Sequence, residues 1–252
     1  MGMTADTGIP RLPRAPIARA LGALLDGAFA AIRLLRAPRP IHSRGVVYEG
    51  RIRWIPDAVP ADVSWIDDAP TAAIPVVARL SRSISLPAPL PDVIGLALRV
   101  THDGRPVDIE LASTGWGIPS RFFLAMHRRA EHARFGTLLP YRGRRGAVLL
   151  GARTRSGRPR ATDPRGLASA TETSQDATAE WTLTLGHASA VGRWHPFGVV
   201  ELTVSPDQDD AGLRFDAVRR PLPGTRAYAW VRAARQPSYE RVQADGTPLR
   251  MP

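Results

Sequence analysis

Apolar residues recur along this chain with two different periods. In the first part, Ile17, Leu21, Leu24, Leu25, Ala28, Phe29, Ile32 and Leu35 fall at helical spacing, which predicts an amphipathic helix. Arg19, Asp26 and Arg33 interrupt that stretch. A membrane span needs ~20 mostly apolar residues, so three charges in the window argue against one. From Val46 onward the period shortens to two. Stretches rich in β-branched and apolar residues predict strands at Val46–Ile55, Ile74–Arg82, Val93–Thr101, Val107–Ser113, Ala147–Arg153, Trp181–His187, Val199–Val204 and Leu213–Val218. Turn-forming groups such as Asp103-Gly104 and Ser205-Pro206-Asp207 punctuate them.

Eight strands of this kind fit an antiparallel barrel, one way of leaving no sheet edge exposed. A barrel of eight is just wide enough to be filled by side chains or to hold a small ligand. Two segments break the alternation. Arg121–Phe135 carries Phe122, Met126 and Ala130 on one helical face, and residues 154–178 form a Ser/Thr/Pro/Gly/Arg-rich run that reads as a long mobile loop. Thr225–Ala244 reads as helical, with Pro237 placed to open a final short helix. The predicted class is α+β, with an N-terminal tail and helix over 1–38 and one barrel domain over 39–252.

Composition narrows the chemistry. The chain has 252 residues, 44% of them hydrophobic and 23% charged, the profile of a globular protein rather than a disordered one. It has no cysteine, which excludes disulfides, thiolate nucleophiles, iron–sulfur clusters and cysteinate-ligated haem. All 34 basic residues are arginine, and the net charge is +11. The arginines are scattered along the chain without a zinc-finger, helix-turn-helix or RNA-binding pattern, so no nucleic acid is expected as a partner. No clustered His/Asp metal spacing, Gly-x-Ser-x-Gly elbow or phosphate-cradling glycine loop points to hydrolysis. No secretory signal is read at the start, and the cytoplasm is the expected location. The helix over 17–35 is left to pack on the body of the protein, on a second copy in a homodimer, or peripherally on a membrane.

Four stretches, in order, carry a family pattern: Arg39-Pro40-Ile41-His42-Ser43-Arg44-Gly45, Ala78-Arg79-Leu80-Ser81, Asp92-Val93-Ile94-Gly95-Leu96-Ala97-Leu98-Arg99, and Arg235-Gln236-Pro237-Ser238-Tyr239. Together they resemble the haem-dependent catalase superfamily, over most of the chain between Arg39 and Tyr239. The resemblance is to a minimal, catalase-related peroxidase-like member, lacking the long N-terminal arm, the threading segment and the C-terminal helical domain of full-size catalases. It implies a catalase-like barrel that binds haem b, with the last stretch on a C-terminal proximal helix.

The resemblance also implies roles. Tyr239 would be the proximal ligand of the haem iron, and Arg235, four residues earlier, would support its phenolate. His42 would be the distal histidine, taking a proton from one peroxide oxygen and returning it to the other. Arg39 and Arg79 would clamp the haem propionates, which guanidinium groups do bidentately. Ser81 would fix the orientation of His42. Taken without the resemblance, Tyr239 reads as a core tyrosine, the two arginines as surface charge, and Ser81 as a strand hydroxyl facing solvent. His102, His127, His132, His187 and His195 match no family position; His127 and His132, five apart, would sit on different faces of a helix.

One departure limits the implied activity. The family places an asparagine beside its distal histidine, and this chain contains no asparagine. The corresponding region is Asp108–Pro119, where Ser113 or Thr114 are candidate substitutes, and Trp116 falls near the expected place or is a core residue. The implied function is therefore an oxidoreductase reacting with hydrogen peroxide or organic hydroperoxides, peroxidase-like with weak or no catalase turnover. Its alternatives are a haem-binding carrier without turnover and a haem-free scaffold of the same fold.

Overall fold

The computed structural model describes residues 45–84, 86, 90–159, 180–206, 213–229 and 231. Long strands dominate it: β1 (Gly45–Trp54), β2 (Ile74–Arg82), β3 (Asp92–His102), β4 (Arg105–Ser113), β8 (Ala147–Gly157), β9 (Trp181–Ser189) and β10 (His195–Val204). Shorter ones are β5 (Met126–His127), β6 (Arg134–Gly136), β7 (Tyr141–Arg142) and β11 (Arg226–Ala227). Around the sheet the order is β8-β6-β4-β3-β2-β1-β10-β9, and β9 pairs again with β8. That pairing closes an eight-stranded antiparallel barrel. The only α-helix given bounds among the described residues is the single turn α1 (Ser64–Asp67), and no described helix is long and apolar enough to cross a membrane.

Seven of the eight expected strands form, and the eighth does not. Leu213–Asp216 is irregular and Ala217–Arg219 a turn, because its backbone N–H groups bond to acidic side chains of β4 instead of to a neighbouring strand. Strand β6 takes the eighth place in the barrel. It begins inside the stretch read as a helix, Arg121–Phe135, where 3-10 turns at Ser120–Phe122 and Ala130–His132 stand with β5 and the start of β6. The run read as a loop from 154 begins later, since β8 extends to Gly157; residues 160–179 lie outside the described residues. Thr225–Ala244 opens with β11, paired to β7, and turns helical at Ala229 and Val231.

The alternation along each strand divides the barrel into two faces. Val46, Tyr48 and Ile52, then Val76, Ala78 and Leu80, then Ile94, Leu96, Leu98 and Val100 point into one buried cluster. Across it stand Trp181 and Phe135, both fully buried, with ring centroids 6.2 Å apart and nearly perpendicular. Edge-to-face rings of this kind fill space without a void. The interior is thus a core, so a ligand must be held on the outside of the wall or at an end. One end is stoppered by α1, whose Trp65 packs edge-on against Trp54 and Phe197 at 5.1 and 5.9 Å.

Candidate functional site

The outer face of β1–β4 is where the sequence places its described site residues. Strand periodicity puts Arg79 and Ser81, two apart on β2, on the same side, opposite to the core residues Ala78 and Leu80. The register then builds rows across four strands. Ser81 faces Gly45 on β1 and Gly95 on β3, and Gly95 faces Ala112 on β4. This first row holds nothing larger than a hydroxymethyl group of its own. The second row is Val47, Arg79, Ala97 and Glu110.

Gly45 serves a specific end. A Cβ there would stand 3.0 Å from Cζ of Arg79 and 2.8 Å from the Leu80 carbonyl oxygen. The Arg79 guanidinium therefore lies over the Gly45 backbone, in space only glycine leaves. Ser81 is buried, 3% exposed, which removes its reading as a solvent-facing hydroxyl. Arg79 is half-buried. Arg39, His42, Arg235 and Tyr239 lie outside the described residues.

A third row fixes the floor of this face. Arg99 and Asp108 face each other across β3 and β4 and form a two-point ion pair at 2.7 and 2.8 Å. Asp108 is fully buried and also accepts from Arg220 at 3.3 Å and from the Asp216 N–H at 2.8 Å. Glu110 accepts the Ala217 N–H at 3.3 Å. The segment 213–220 is thereby tied over the lower rows while the small-residue row lies higher on β2 and β3. At the upper end, buried Asp92 accepts the N–H groups of Ile84 and Leu86, fixing the chain between β2 and β3.

The two hydroxyl candidates for the missing amide are otherwise engaged or placed. Ser113 Oγ accepts the Ile94 N–H at 2.9 Å and donates to the Ala125 carbonyl at 2.6 Å. Thr114 Oγ1 is buried against Gly136, with no hydrogen-bond partner among the described residues. The β4 residue in the Ser81 row is Ala112, a methyl group. Trp116 is neither at this face nor in the core cluster. It is half-buried after β4, stacked on Trp194 with centroids 4.2 Å apart, and its carbonyl accepts the Trp194 indole N–H at 2.7 Å.

Comparison of the whole fold with solved structures decides the architecture. A fungal catalase matches with a TM-score of 0.57 at 13% identity, over 96% of this chain and 65% of that one. A bacterial catalase matches with a TM-score of 0.50 at 13% identity, over 100% of this chain and 66% of that one. The barrel is catalase-like. The likeness is distant and is one of fold, and the chain spans just under two thirds of the catalases it matches. No protein-family model matches the sequence, and no curated protein does. Sequence reasoning singled out Arg79 and Ser81 as candidates but did not place Gly45, Gly95 and Ala112 as their neighbours. Only strand register brings those three beside Ser81, and short-range sequence carries no signal for it.

The histidines without a family position have structural partners. His127 and His132 are not on a helix; they lie in β5 and a 3-10 turn, and His127 is held below its ordinary pKa by burial and then by the nearby His132. His187 is buried and bonded through Nε2 to the Val59 carbonyl oxygen at 2.8 Å. Burial, the largest cause, and the neighbouring His195 lower its pKa, against the opposing pull of the Val59 carbonyl. With the unfolded value near ~6.5 and the folded value below it, the unfolded chain binds more protons between the two. The stability His187 confers is complete above that unfolded value and is lost as pH falls through the folded one. Urea unfolding from pH 7.5 to 5 is expected to show a steeper loss for the wild type than for His187→Gln; equal slopes would refute this.

Proposed function

We propose that the chain is a haem b-binding oxidoreductase that reacts with hydrogen peroxide or organic hydroperoxides, peroxidase-like with weak or no catalase turnover. The observation that carries this reading is the placement of Arg79 and Ser81 together on the outer wall, beside a row of Gly45, Gly95 and Ala112. A row of small side chains suits the face of a planar macrocycle, and the guanidinium lying over its Gly45 end suits a carboxylate. The residues present fit the group.

In this reading Arg79, with Arg39, holds the propionates. Ser81 hydrogen-bonds the His42 imidazole and sets which ring nitrogen faces the peroxide. His42 accepts a proton from one peroxide oxygen and delivers it to the departing one. Tyr239 would ligate the iron, with Arg235 stabilising its phenolate. When bound, the haem supplies the redox chemistry that cleaves the O–O bond.

Ala112 favours a second reading, a haem-binding carrier or sink without turnover. A methyl in the Ser81 row offers a peroxide no hydrogen bond, where the family has an amide. Titration of the full chain with haemin separates these readings from a haem-free scaffold. One equivalent is expected to bind saturably with a Soret band, and Arg79→Ala is expected to weaken binding roughly tenfold or more. Absence of any saturable spectral change would refute haem binding. Peroxide consumption then divides enzyme from carrier: wild type is expected to exceed His42→Ala, and equal negligible rates would leave only the carrier.

A further inference from the structure

A cleft of about 290 Å³ opens at the other end of the barrel from the Gly45–Ser81 pair, where β10 begins beyond the pairing of Trp54 with Gly198. Its polar walls come from three places: Asp62, Arg145, and the end of β9 with the β9–β10 turn, which supply His187, Ser189, Arg193 and His195. The size suits a small ligand. Its charges decide which kind.

Among the described residues Asp62 is the only carboxylate lining the cleft, and its Oδ1 is paired with two nitrogens of Arg145 at 2.7 and 2.6 Å. That pairing neutralises the carboxylate, so it offers a cation no uncompensated negative charge. Arg193 is exposed and has no carboxylate partner among the described residues, so its charge is uncompensated. His187 donates from Nε2 to Val59, and His195 stacks on it with ring centroids 5.5 Å apart.

The turn itself is polarised. Buried Arg121 reaches it from β4's following loop and donates through one NH group to the carbonyls of Ser189 and Gly192, at 3.0 and 2.7 Å. In a trans peptide the N–H points opposite to the carbonyl. The only cis bond among the described residues is Ile118–Pro119. The N–H groups of Ala190 and Arg193 therefore point away from Arg121, and neither donates a hydrogen bond among the described residues. A turn whose carbonyl ends are gripped by a buried cation presents its N–H ends as an anion site. Arg121 has no carboxylate partner among the described residues either, so its charge adds to that field.

We propose that this cleft binds a small tetrahedral oxyanion, of which phosphate is the type, on the Arg193 guanidinium and N–H with His195 beside it. The site is independent of the haem face. Calorimetric titration of the full chain with inorganic phosphate at physiological ionic strength tests it. One saturable site is expected, weakened on the order of tenfold or more in Arg193→Ala, since a charge-assisted hydrogen bond contributes about that much. Arg105→Ala removes an exposed arginine at the β3–β4 turn and is expected to change the affinity less than twofold. No saturable binding by the wild type would overturn the proposal, and so would equal weakening by both substitutions.

Discussion

Replacing Asp108 by alanine is expected to cost the fold about 3–5 kcal/mol, the range measured when one partner of a buried ion pair is removed. The carboxylate is fully buried and serves four donors at once: two nitrogens of Arg99, one of Arg220, and the Asp216 N–H. Its loss leaves Arg99, only 21% exposed at its side chain, beside an apolar methyl with no counter-charge. It also strands the Asp216 N–H. For a chain of this length the melting temperature should fall by roughly 6–20 °C. Asp108→Asn keeps the shape and some of the acceptors and should cost less. The segment 213–220, tied to β4 mainly through these bonds, should become more open to tryptic cleavage at Arg214 and Arg219 than in the wild type; Arg220 precedes Pro221 and resists trypsin. Urea unfolding and timed proteolysis would show this. A loss under about 1 kcal/mol, the usual worth of an exposed ion pair, would refute it.

The same residues show why part of the fold was legible and part was not. Strand β2 is read at its observed bounds because Pro75 and the alternating Val76, Ala78 and Leu80 mark both its start and its buried face. Leu213, Phe215 and Ala217 alternate just as well, yet they form no strand. The N–H groups of Asp216 and Ala217 are captured by Asp108 and Glu110, carboxylates over a hundred positions away, and local periodicity cannot register that competition. Strand β6 was hidden for the converse reason. Three residues, Arg134–Gly136, are too short to show a period, and they follow a run whose spacing resembles a helix.

The candidate site divides in a similar way. Arg79 and Ser81 were legible because one strand carries them both, two residues apart. Gly45, Gly95 and Ala112 are glycine and alanine in an alanine-rich chain, and their significance lies in facing Ser81 across three neighbouring strands. The resemblance raised the question of what replaces the asparagine, and register brings Ala112 into the Ser81 row, a residue the sequence reading did not weigh. Ser113 has the right chemistry on the wrong face, since it holds the Ile94 N–H, while Ala112 has the right face and no donor. Sequence distance between those two positions is a single residue, and one residue in a strand reverses the face.

The largest functional effect is expected at Tyr239, and it follows from the proposed haem binding. Tyr239→Phe removes one oxygen atom and little else, so a tyrosine that merely fills space would tolerate it. As an iron ligand that oxygen is irreplaceable, and retention of haemin through desalting, with its Soret band, is expected to be lost entirely. A free phenol ionises near pH ~10, so ligation at neutral pH depends on positive charge nearby. In the proposed site Arg235 would supply such a charge, and Arg235→Ala is expected to weaken haemin binding by roughly 10–100-fold, the usual effect of removing a group that supports a ligand. Tyr228→Phe provides the comparison, since Tyr228 lies just beyond β11 and matches no part of the proximal pattern. It should retain haemin as the wild type does. His42→Ala should also retain it while losing peroxide consumption, because a distal base moves protons without holding the iron. If Tyr239→Phe keeps its Soret band at wild-type strength, the iron is held by some other residue. The proximal assignment then fails even though haem binding stands.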